Sequence, residues 1–176
     1  MTPGMTSIER LQTLLPQLFT PSKVGGDLFL RVQLTTDMTV GLSLDLVEEV
    51  QTIPVSRITP IPNMHEEILG LIQSKGYMFW LLDLPRLLGF SSLQDRRRQY
   101  EMIMINLQSS SLNNSDGDNL LNPKKFLGFA VQQVKGTFRV LPEDVAPPSS
   151  DVSSRLGSHV YGQTSSDGDI IPLLNI

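Results

Sequence analysis

The chain of 176 residues contains no cysteine and only two histidines, His65 and His159. Without thiols it can form no disulfide, no thiolate metal site and no cysteine nucleophile, a usage that fits a reducing compartment. The two imidazoles lie far apart with no acids at ligand spacing, so each reads as an isolated surface or half-buried histidine. Positive charge is scarce too: 14 Lys and Arg stand against 18 Asp and Glu, a net charge of −4. General affinity for nucleic acid or anionic lipid needs the opposite balance. No stretch approaches the roughly 18 uninterrupted apolar residues of a membrane-spanning helix. Met1 to Met5 show no basic region followed by an apolar run, as a secretory signal would. The expectation is a soluble cytoplasmic protein with no membrane insertion, no metal and no cofactor.

What the chain does have is a 40% hydrophobic fraction, enough for a core, at a length that suits one domain or one body of two small lobes. Thr6 and Glu9 can form a capping box, and behind it Ile8, Leu11, Leu14, Leu15 and Leu18 recur at helical spacing. Pro16 should end or kink that helix. The apolar stripe is read first as a helix packed on its own domain, with an arm that docks on a partner as the alternative. Residues 1–26 are therefore expected to be an N-terminal helix and linker, and 27–176 the main domain.

From Asp27 onward the pattern changes to period two. Leu28, Leu30, Val32 and Leu34 alternate with more polar neighbours, which predicts a strand with one buried face. Val40 to Leu44, Leu46 to Ile53 and Ile58 to Ile61 follow as short elements, with prolines 54, 60 and 62 confined to edges and connections. Met102 to Ile105 should be buried on both faces. Phe126 to Val134, Thr137 to Leu141 and Ile170 to Leu174 complete the strands. Ser109 to Pro123, rich in Ser, Asn, Asp and Gly, reads as a flexible loop. Short strands between turns indicate an all-β barrel or sandwich.

Motifs for chemistry are sparse. There is no Walker-type phosphate loop, paired-His metal motif or nucleophile elbow. Asn114, Asp116 and Asp118 alternate like calcium ligands, but Asn119 replaces the required glycine and Lys125 the bidentate glutamate. Asn113-Asn114-Ser115 matches a glycosylation sequon, of little weight without an export signal. Arg96-Arg97-Arg98 is the only basic run. It fits a charged loop guarding the edge of the strand that follows, and its alternative is an anion or nucleic-acid patch on a small β-barrel. Asp83, before Leu84-Pro85, is placed to cap free helix amides.

Several segments, in order, resemble the CheW-like adaptor family: Val40-Gly41-Leu42-Ser43-Leu44, Val47-Glu48-Glu49-Val50, Ile58-Thr59-Pro60-Ile61-Pro62, Ile68-Leu69-Gly70-Leu71-Ile72, Leu81-Leu82-Asp83-Leu84, Leu127-Gly128-Phe129-Ala130 and Asp167-Gly168-Asp169-Ile170-Ile171. The resemblance implies two intertwined five-stranded SH3-like barrels with short helices and no catalytic residues. It also implies a non-enzymatic chemotaxis-type adaptor that couples a methyl-accepting chemotaxis-type receptor, held in a groove between the lobes, to a CheA-type histidine kinase. By position, Glu49 and Val50 would lie near kinase-facing strands, Lys75 and Gly76 would form a polar turn important for coupling, and Gly128 would allow close packing of its strand. The family usually carries Asn-x-Arg-Gly where this chain has Gln73-Ser74-Lys75-Gly76, and lysine lacks the planar fork of arginine. Trp80 stands where a proline is common, resembling adaptors of cyanobacterial pilus-motility and phototaxis pathways. Read from its own chemistry, Trp80 is expected to pack in the core.

Overall fold

In the computed structural model, which describes residues 25–93, 97–108 and 125–176, the alternating segments become ten strands. In chain order they are β1 (Asp27–Gln33), β2 (Thr39–Ser43), β3 (Val47–Pro54), β4 (Ile68–Ser74), β5 (Tyr77–Asp83), β6 (Gln99–Asn106), β7 (Phe126–Val131), β8 (Gln133–Val140), β9 (Val160–Ser166) and β10 (Asp169–Leu174). They form two five-stranded sheets, ordered β8-β1-β2-β10-β9 and β3-β6-β7-β5-β4. The expected N-terminal helix, the polar loop at 109–123 and Arg96 lie outside the described residues.

The two sheets share one plan. Each is antiparallel except for one parallel neighbour pair, β2 with β10 and β5 with β7. In each parallel pair a glycine faces a leucine: Gly41 opposite Leu173, and Gly128 opposite Leu81. The second lobe uses β3 to β7 consecutively, whereas the first runs β8, β9, β10 and then β1, β2, a circular permutation of the same arrangement. The five central strands are thus an insertion between β2 and β8, and this is the sense in which the lobes intertwine.

Each sheet closes on itself through the chain that follows its first strand. After β3, Thr59 exchanges two hydrogen bonds with Leu71 of β4, at 2.8 and 2.9 Å. After β8, Ala146 does the same with Gln163 of β9, at 2.9 and 2.8 Å. Closure removes open edges that would otherwise template aggregation. It needs close backbone approach, and Gly70 supplies it in the second lobe. Its φ is +144°, and a Cβ there would collide with the Thr59 carbonyl.

The largest apolar cluster lies between the sheets. Leu30, Val32, Val40 and Leu42 of the first lobe pack there with Ile103, Ile105, Phe129 and Val131 of the second. The opposite faces of β5 and β6 fill the second lobe's interior, with Phe79, Leu81, Met102 and Met104. Met102 to Ile105 are therefore buried on both faces, as their unbroken apolar run predicts. Phe29 departs from the expected single buried face of β1, because it turns into the first lobe's own small core with Val140 and Leu173.

Two short helices interrupt the strands. Helix α1 (Leu84–Leu87) starts as its sequence predicts, with the Asp83 carboxylate accepting from the Arg86 amide at 3.1 Å. Helix α2 (Ser150–Leu156) is not anticipated by apolar periodicity. Its signals are at its ends: Ser149 accepts from the Val152 amide, and Gly157 closes the helix at φ +56°. The expected element Ile58 to Ile61 is reduced to the Thr59 bridge, and Phe126 to Val134 divides at Gln132 into the whole of β7 and the start of β8. Trp80 is not in the core. It lies on the outer face of β5 beside Met78, because its neighbours Phe79 and Leu81 take the inward positions.

Candidate functional site

β3 pairs with β6 across an irregularity between Val47 and Glu49, which sets the facing of the residues after it. Ile53 is buried in the second lobe's core, and Gln51 and Glu49 continue its side of the strand toward the barrel mouth. Val50, Thr52 and Pro54 face outward, Val50 being 40% exposed. Gln51 Nε2 donates to Ser74 Oγ at 2.8 Å, which ties β3 to the end of β4.

Beyond that tie, β4 and β5 are joined by the two-residue turn Lys75-Gly76. Both residues are left-handed, with φ of 50° and 81°, the conformation of a type I′ hairpin whose twist matches the flanking strands. A Cβ on Gly76 would meet nothing within 4 Å, so the glycine serves the backbone conformation and not a close contact. The turn holds Lys75 Nζ 3.4 Å from Glu49 Oε2. That oxygen is buried and accepts no aligned hydrogen bond, so the ammonium balances it by charge alone. Nearby, the Arg57 guanidinium donates to the Gln73 carbonyl at 2.7 Å. On the outer face of the same hairpin, Met78 is 70% exposed, with Trp80 two residues on. The result is a polar rim, Glu49, Lys75 and Arg57, around an apolar outer surface.

Gly128 is not part of that rim. It is buried in β7, where a Cβ would come within 3.0 Å of Leu81, 3.1 Å of Phe79 and 3.2 Å of the Met102 sulfur. Of the residues expected at the interface, the fold brings together Glu49, Lys75 and Gly76, puts Val50 on the outer face of the neighbouring strand, and uses Gly128 to bring three strands close. Sequence reasoning missed Arg57, Gln51 and Ser74. Gln51 and Ser74 are uncharged, and Arg57 meets the hairpin only through closure of the sheet, so local pattern gave no sign of them.

The arrangement offers docking and little chemistry. Among the described residues, no group of three or more His, Asp or Glu side chains converges to hold a metal. A cavity of about 520 Å³ between the lobes is lined by Leu34 to Asp37, Phe90 to Leu93, Arg97 and Gln132. Its acid is already committed: Thr35, the backbone and Arg155 together hold the Asp37 carboxyl below the usual aspartate value. Of the basic run, Arg97 donates to the Gln132 carbonyl at 3.3 Å, and Arg98 accepts through its carbonyl from the Val55 amide at 3.0 Å. No described helix is long and apolar enough to cross a membrane.

No curated protein sequence matches the chain. Among solved structures, it is similar to the scaffolding protein TtCheW from Thermoanaerobacter tengcongensis. The two are 20% identical, with a TM-score of 0.66 over 86% of this chain and 90% of that one. At that identity the likeness concerns the fold. The family model for the CheW-like domain matches residues 29–176, nearly all of both lobes. The chain belongs to the CheW-like domain family.

Proposed function

We propose that this signal-transduction adaptor couples a methyl-accepting chemotaxis-type receptor to a CheA-type histidine kinase, in the cytoplasm and without catalysing a reaction. Family membership over residues 29–176 carries the reading. The hairpin rim supports it: Lys75 is fixed by its turn and by Glu49, with exposed Val50 and Met78 close to the same two strands. A preset cation beside solvent-facing apolar side chains fits a protein interface, in which charge sets orientation and apolar contact sets affinity. The receptor would take the groove between the lobes. Weak individual contacts suit assemblies whose strength comes from many copies.

The test is a pull-down with the regulatory domain of a CheA-type kinase, comparing the natural chain with Lys75→Glu. The expected outcome is loss of capture with a melting curve nearly unchanged. Equal capture by both proteins would place the kinase contact elsewhere. The alternative, anion or nucleic-acid binding through the basic run, predicts salt-dependent retention on an oligonucleotide that is lost when Arg96, Arg97 and Arg98 are replaced.

A further inference from the structure

Two charged side chains line the cavity between the lobes, Asp37 from the turn after β1 and Arg97 from the segment that leads into β6. They are not equivalent. Asp37 accepts from the Thr35 hydroxyl at 2.8 Å and from Arg155 Nη2 at 3.2 Å. The Arg155 guanidinium also lies over the Phe90 ring, 5.6 Å from its centroid. Helix α2 thus reaches both walls, the Asp37 turn of the first lobe and the Phe90 segment of the second, and balances the charge of the acid. Arg97 has no such counterpart. It is half-buried and donates to the neutral Gln132 carbonyl, and among the described residues no carboxylate pairs with it.

The rest of the lining joins Leu34, Phe90 and Leu93 to small hydroxylated residues, Thr36 and Ser91 among them. Both walls are fixed. The Leu34 amide donates to the Met38 carbonyl at 2.9 Å, and the Leu93 amide to Asp83 at 2.8 Å. A cavity of about 520 Å³ is about 10 Å across, close to the screening length at physiological salt. A charge brought into it therefore feels both Arg97 and Asp37. A preset apolar site with one uncompensated cation selects a ligand that carries an acid beside an apolar side chain.

We infer that the receptor segment seated between the lobes presents a carboxylate to Arg97, with an adjoining apolar side chain against Leu34, Phe90 and Leu93. Arg155 is then a positioning residue, which keeps Asp37 from repelling that carboxylate and from competing for Arg97. The inference rests on the reading that a receptor takes this groove, and it adds what that receptor must carry.

The test is titration calorimetry of the full-length protein with a purified cytoplasmic fragment of a methyl-accepting chemotaxis-type receptor, with a melting curve for every variant. Arg97→Glu should weaken binding roughly tenfold while the melting curve stays nearly unchanged. Arg155→Ala should also weaken binding, and adding Asp37→Asn should restore it, because the unbalanced acid is gone. An Arg155 that only tied the walls together would show no such rescue, since both changes break the same tie. Affinity of the natural protein should fall with salt more steeply than that of Arg97→Gln. No binding by the natural protein would overturn the receptor reading and the inference with it. Unimpaired binding by Arg97→Glu, a double variant as weak as Arg155→Ala alone, or equal salt dependence would each overturn the inference and leave the receptor reading standing.

Discussion

Lys75 Nζ stands 3.4 Å from a Glu49 carboxylate oxygen, across the mouth of the second lobe. The lysine is about half exposed, so the pair should add no more than about 1 kcal/mol to stability. Its value is positional: it fixes where a cation sits on the rim. Glu49→Gln should therefore lower kinase capture with little change in melting temperature. Lys75→Asn separates turn from charge, since asparagine suits a left-handed position. That variant should lose no more than about 1 kcal/mol in a urea titration and still bind weakly.

The glycines give a graded series. Gly76→Ala forces a left-handed conformation on a residue with a Cβ and should cost about 1–2 kcal/mol. Gly128→Ala meets Leu81 and Phe79 side chains, which can shift by a few tenths of an ångström, at about 1–3 kcal/mol. Gly70→Ala meets a backbone carbonyl that cannot move without opening the sheet closure, and should be the most damaging of the three. Denaturant midpoints measured on all three should reproduce that order.

Asp83 is fully buried and accepts from the Arg86 amide, the Ser92 hydroxyl and the Leu93 amide. Asp83→Ala strands the buried Leu93 amide, at about 1–3 kcal/mol, and removes the cap from the partly buried Arg86 amide, at about 1 kcal/mol. The variant should be strongly destabilised by calorimetry, with Asp83→Asn intermediate because its single carbonyl oxygen still accepts.

Tyr161 offers a pH test. Desolvation first, and then the Asp27 carboxylate, push its phenol above the ordinary value of 10.0. A group that binds its proton more tightly when folded stabilises the protein fully below the unfolded pKa. That contribution is lost as pH rises through the folded one. Phenolate absorbance, compared with that of Tyr161→Phe, should thus show the Tyr161 phenol titrating above 10.0. Asp27→Asn should bring that tyrosine part of the way back toward 10.0 without normalising it, because the larger cause remains.

The strands were legible where one physical demand dominated. Met102 to Ile105 advertise burial on both faces because every side chain there is apolar, and Asp83-Leu84-Pro85 advertises a helix start through capping chemistry. Trp80 misled because size and apolarity do not say which face of β5 looks inward. Only pairing with β7, which directs Phe79 and Leu81 to the core, settles that. Helix α2 has seven residues and one turn of apolar spacing, too little for periodicity to register. At the rim, Lys75-Gly76 was visible as a turn, but its partner Glu49 is brought to it through closure of the sheet, which local sequence does not encode.

The nesting of one lobe within the other sets an order of assembly. β1 must pair with β8, and Asp27 meets Val140 more than a hundred residues downstream, whereas the five middle strands find all their sheet neighbours among themselves. On a ribosome, which releases the chain from its N-terminus, the middle strands can therefore join while β1 and β2 still wait for the last three. Long-range pairing of this kind is slow, and until β8 emerges the nascent protein carries an unmatched, strongly apolar ribbon that chaperones would recognise.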